Sequence, residues 1–142
     1  MAKTVSFKRQ IKNNLIALIS IFIAISSLAY NTWRNEQTEY NRNIRTSSFE
    51  IIKSLAQLQL LVDYAHYDAT DHDSIKGWSH VLYIRDLTTA MSEPSQESAQ
   101  QLFAVWQRHF SNVETEKQSI EAITVAITDC REQVLLELRE LK

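Results

Sequence analysis

From Leu15 to Tyr30 the chain reads LIALISIFIAISSLAY, an uncharged apolar run broken only by Ser20, Ser26 and Ser27. A helical serine returns its hydroxyl to a carbonyl one turn back, so the three serines do not interrupt an apolar helix. Extended through Asn31, Thr32 and Trp33, the segment reaches roughly 28 Å at ~1.5 Å per residue, close to the ~30 Å of a bilayer's hydrocarbon core. Lys12 on one side, and Tyr30 and Trp33 on the other, suit the two interfaces as anchors. The expectation is a transmembrane helix over residues 15–33.

A cleaved signal peptide competes with it, since Lys3, Lys8, Arg9 and Lys12 form a basic leader and Ser27-Leu28-Ala29 has small-x-small form. The apolar run is long for such a leader, and the residues beyond Ala29 continue in helical character. The anchor reading is preferred.

Beyond a polar stretch at residues 34–48, apolar positions recur at Ile51, Leu55, Leu58, Val62 and Ala65, extended backwards by Ile44 and widened by Ile52 and Leu61. The 4-3-4-3 spacing marks one buried helical face, and no alternation supports a strand. No Gly or Pro falls between Met1 and Lys76. The first helix is therefore expected to leave the bilayer and run to about Asp71. Residues 72–77, ending in Gly77, read as a loop, and Ser92-Glu93-Pro94-Ser95 reads as a turn opening a helix at Pro94. Between them, Trp78, Val81, Ile84 and Leu87 or Met91 predict a short amphipathic helix.

A third stripe follows at Phe103, Trp106, Phe110 and Val113, and a fourth at Ile120, Ile123, Ile127, Cys130, Val134, Leu138 and Leu141. Ser111-x-x-Glu114 has capping-box form, which marks a kink or restart there. The last helix is expected to be some thirty residues long and to head back toward the bilayer. The fold expected is all-α, an N-terminal transmembrane helix continuing into an antiparallel bundle of three or four helices. Its divisions are a basic tail (1–14), the membrane helix (15–33) and a helical domain (34–142).

Composition narrows the function. The 142 residues include one Gly, one Pro and one Cys, which argues against turn-rich folds, disulfide frameworks and multi-cysteine metal centres. Residues 1–14 hold four of the 15 bases and none of the 17 acids, leaving residues 31–142 with 11 against 17, a net of −6. An acidic exterior disfavours nucleic acid. The basic tail favours a cytoplasmic N-terminus with the rest of the chain outside, as in a bacterial inner membrane.

The densest polar cluster runs from Asp63 to Asp73, followed by His80. Asp63 with His66, and Asp68 with His72, pair imidazole and carboxylate at helical spacing, the donor types of a metal or of a pH-sensitive site. The two pairs point about 180° apart and match no metal motif, so a solvated helix end is the preferred reading and no cofactor or metal is expected. Cys130 lies within an apolar stripe, where a thiol behaves as a core residue, and no catalytic constellation stands out.

Tyr64, Tyr67, Trp78 and Tyr83 gather near the expected far tip of the bundle; core packing is their default role, and those left exposed are candidates for partner binding. Leu60, off the main stripe, is a second hint of an outside contact. The function expected is a non-enzymatic interaction or accessory factor in a cell envelope, binding another envelope protein or itself. A ligand- or metal-sensing module signalling through a partner chain is the alternative, as is a secreted helical protein.

Overall fold

The structure, a computed structural model, describes residues 10, 12, 14–67 and 74–141, with the side chains of residues 66, 67 and 74 excepted. The described residues form four α-helices and no strand: α1 (Leu15–Tyr67), α2 (Ser74–Thr88), α3 (Glu93–His109) and α4 (Lys117–Glu140), with a 3-10 turn at Phe110–Asn112 between the last two. The chain divides into two compact units, Met1–Tyr40 and Asn41–Lys142.

Helix α1 runs 53 residues, as a sequence free of Gly and Pro permits. Its hydroxyls close on its own backbone one turn back: Ser20 donates to the Ile16 carbonyl and Thr38 to that of Arg34, both at 2.9 Å. In the second unit Ser48 does the same to Ile44 at 2.7 Å while fully buried. A buried hydroxyl is thereby satisfied at no cost to the apolar face around it.

The second unit is built on one core. The predicted stripe of α1 is its spine, since Ile44, Ile51, Leu55, Leu58, Val62 and Ala65 are all buried. Val81 and Ile84 of α2, Leu102 and Trp106 of α3, and Ile123, Ile127, Cys130 and Val134 of α4 complete it. Each fully buried side chain of this size stabilises by about 1.5–3 kcal/mol, so the shared core dominates the unit's stability. Helix α3 packs along both α2 and α4.

Two connections differ from the sequence reading. Gly77 is not in a loop: α2 has already begun at Ser74, and no glycine has positive φ. Its lack of a side chain serves packing, because a Cβ there would lie 2.2 Å from Cζ2 and 2.5 Å from Cη2 of Trp106.

The break near residue 111 is real, but the helix restarts after Glu116 rather than at Ser111. The Ser111 hydroxyl contacts Asn112 at 3.3 Å, and the N–H groups of Thr115 and Glu116 close on the Asn112 carbonyl. At the restart the buried Ser119 donates its hydroxyl to the Glu116 carboxylate at 3.1 Å and meets His109 Nδ1 at 3.0 Å. Helix α4 is consequently 24 residues long rather than thirty.

The start of α3 is held from a distance. Ser92, in extended conformation at the N-cap, makes no capping bond with its own side chain, and Pro94 stands in the first turn. Instead Glu137 of α4 accepts the Ser92 N–H at 2.9 Å, the Ser92 hydroxyl at 2.7 Å and the Ser95 hydroxyl. One carboxylate thus satisfies an orphan N–H at the positive end of α3 and ties that end to α4.

Candidate functional site

In the first unit the notable feature is an uncovered apolar surface. Leu15, Ile16, Leu18, Ile19, Ile21, Phe22, Ile23, Ile25 and Leu28 are each about half exposed or more, with Ile16 at 81%. Helix α1 is long and apolar enough to cross a membrane, and its most apolar window has no part buried against protein. Tyr30 and Trp33 stand together beyond this run with ring centroids 6.1 Å apart. Lys12 is exposed on the other side of it.

In the second unit the four candidate tip aromatics separate. Trp78 packs inward, edge-on to Phe103, Trp106 and Phe110 at centroid distances of 5.9, 6.4 and 5.2 Å. Trp106 and Phe110 stack at 6.5 Å, and the Arg85 guanidinium lies 4.7 Å over Phe103. Such edge-to-face groups add specific attraction to apolar burial. Tyr64 and Tyr83 stay about half exposed, while the Tyr67 side chain lies outside the described residues. Leu60 is also half exposed and Phe49 more so. At ~100° per residue these two fall within about 20° of each other, on the side of α1 opposite its core stripe.

The polar cluster resolves only in part. Asp63 accepts a 2.8 Å bond from Gln59, whose amide also reaches Thr124 of α4 at 3.2 Å. Asp63 therefore belongs to a contact between α1 and α4. The His66 side chain, and Asp68 and His72 entirely, lie outside the described residues. Among the described residues no three His, Cys, Asp or Glu side chains come together as metal ligands.

His80 is paired with Ser54 across α1 and α2 at 3.0 Å, and its partial burial lowers its pKa because the charged ring is less well solvated. Cys130 is fully buried; desolvation pushes its thiol pKa up, outweighing the neighbouring Ser98 hydroxyl. A thiol so placed is a poor nucleophile.

One feature escaped the sequence reading. Between α3 and α4 lies an open groove of about 430 Å³. Val105, Val125 and Ala126 give it an apolar strip, and Glu97, Asp129 and Glu132 give it carboxylates. Its signal in the sequence was the recurrence of Val125, Asp129, Glu132 and Leu136 at 4-3-4 spacing, outside the core stripe of the same helix. No protein-family model matches this sequence, and neither a curated protein nor a solved structure does.

Proposed function

We propose that the chain is a single-pass membrane protein whose helical domain acts as a non-enzymatic interaction or accessory factor in a cell envelope. The observation that carries this reading is the uncovered apolar surface of α1 between Leu15 and Leu28. Nine large apolar side chains left about half exposed would forfeit on the order of 10 kcal/mol in water, at ~1.5–3 kcal/mol for each fully buried one. A bilayer removes that cost along the whole circumference of the helix. The hydroxyl of Ser20, returned to Ile16, fits the same setting, where a polar group must find its partner inside the helix.

The aromatic pair Tyr30 and Trp33 matches one interface and Lys12 the other. The basic tail favours a cytoplasmic N-terminus, with residues 34–142 outside as an antiparallel bundle in a periplasm-like compartment. Half-exposed apolar side chains on α1, α2 and α4 supply contact area for a partner, and the buried, deactivated Cys130 is a packing residue.

The test is a C-terminally tagged chain expressed in a bacterial host. Intact spheroplasts are treated with protease, and the tag is followed by blotting beside a carbonate wash. A membrane-retained, full-length chain that loses its tag to external protease is expected. Release of the chain by carbonate refutes the anchor, and a protected tag on a retained chain refutes the orientation.

A further inference from the structure

We propose that the groove between α3 and α4 docks a cationic amphipathic helix of a partner protein. This rests on the reading of the chain as an interaction factor and gives its partner a chemistry. Its lining mixes an accessible apolar strip with polar side chains: Ala126 is buried, Val105 half-buried and Val125 58% exposed, beside Ser98, Gln101 and Gln133. On α4, Leu136 lies just past the groove's lining, eleven residues beyond Val125, with Asp129 and Glu132 between them; it returns to the same side within about 20° and is 48% exposed. Eleven residues of helix cover about 16 Å, the reach of a partner helix of three to four turns carrying apolar anchors at i, i+4 and i+7.

The electrostatics decide the sign of the partner. Glu97 faces the groove from α3, Asp129 and Glu132 from α4, and no Lys or Arg lines it. None of these three carboxylates has an ion-pair partner among the described residues. Nor do they converge: among the described residues no three acidic side chains meet in metal-ligand geometry. Negative charge spread along an apolar strip is complementary to positive charge spread along an apolar helix, and such complementarity fixes both register and partner choice. A second copy docking by the same face would instead set like charges against each other, so the occupant is a different, basic chain.

The test uses the full chain in nanodiscs of zwitterionic lipid. The probe is a fluorescent synthetic helix of about 18 residues, Leu on one face and Lys on the other, read by anisotropy with empty nanodiscs as the blank. Incorporation is scored first: a chain that does not enter the discs fails the membrane reading, and the peptide is then titrated against the detergent-solubilised chain.

Saturable binding is expected, weakening as salt rises from roughly 0.05 to 0.5 M as exposed charges are screened. Reversal of both α4 carboxylates (Asp129→Lys with Glu132→Lys) should weaken it about tenfold or more, since like charges then oppose. Val125→Asn, an exposed position that leaves the fold intact, should weaken it several-fold, as an apolar contact requires. Reversing two carboxylates elsewhere (Glu50→Lys with Asp86→Lys) should leave it unchanged. Equal losses from the two double reversals, no effect of Val125→Asn, or no binding by the folded chain overturns the proposal. So does self-association of the chain through this face, seen as a dimer lost in the Asp129/Glu132 variant.

Discussion

Gly77→Ala sets two opposing effects against each other. In an ordinary helix interior alanine is better than glycine by about 1 kcal/mol, because glycine surrenders more backbone freedom on folding. At residue 77 the added methyl would stand 2.2 and 2.5 Å from two carbons of the Trp106 ring, where carbon atoms normally keep about 3.5 Å or more. The ring cannot simply swing away. Trp106 is 2% exposed and held by Trp78 and Phe110.

Overpacking of a rigid core costs about 1–3 kcal/mol. Net of the helix gain of about 1 kcal/mol, we expect destabilisation by up to roughly 2 kcal/mol, or up to about 15 °C in Tm for a domain of this size. Thermal melts followed by circular dichroism of the detergent-solubilised chain measure it. The decisive arm is the double-mutant cycle with Trp106→Phe. The indole N–H has no acceptor among the described residues, so Phe removes ring volume without breaking a hydrogen bond. In that background Gly77→Ala should become neutral or stabilising by up to about 1 kcal/mol. If Gly77→Ala raises Tm in the native background, or costs the same with Phe at 106, the packing argument is wrong.

Three other substitutions probe separate parts of the chain. Glu137→Ala should destabilise the second unit by about 1–2 kcal/mol in the same melts, since it leaves the start of α3 uncapped; Glu137→Gln should cost less, and equality of Ala with wild type removes the clamp. His80, whose pKa is lowered in the folded state, binds fewer protons folded than unfolded, so Tm should fall as pH drops through the ordinary imidazole range and then level off. That slope should shrink in His80→Gln, and an unchanged slope assigns it to other groups. Ile23→Arg, in the middle of the apolar run, should raise the cost of membrane insertion by about 3 kcal/mol, visible as chain shifting into the carbonate-soluble fraction.

Most of the core was legible because it is periodic. The α1 stripe from Ile44 to Ala65, the α4 stripe from Ile123 to Val134, and Val81 and Ile84 all fall where helical spacing places a buried face. The α3 stripe was legible with a difference of degree, since Trp106 and Val113 are buried whereas Phe103 and Phe110 remain half-covered. Gly77 was misread because a glycine required by a turn and a glycine required by a ring 29 positions away look identical in one dimension.

The Glu137 clamp was hidden for the same reason: Ser92 and its acceptor are 45 residues apart, and no local rule links them. The choice among Tyr64, Tyr83 and Trp78 was also beyond composition, since which aromatic turns inward depends on what α3 presents. The groove could have been read only by noticing two apolar series on α4, one leading to the core and a second, acid-flanked one leading outward.

The distribution of indoles gives the protein a built-in pair of optical reporters. Trp78 and Trp106 lie 6.4 Å apart in one aromatic group with Phe103 and Phe110, whereas Trp33 stands 58% exposed beyond the apolar run. Two chromophores at that separation couple, so unfolding of the second unit should erase a near-ultraviolet dichroism that Trp33 alone cannot produce. Collisional quenchers divide the emission the other way: a water-borne quencher reaches the exposed Trp33 in lipid-free solution, and a lipid-borne one should reach it if α1 enters a bilayer, while Trp106, 2% exposed, is shielded from the water-borne one. An unlabelled sample thus separates folding of the helical domain from lipid contact of the first helix in a single cuvette.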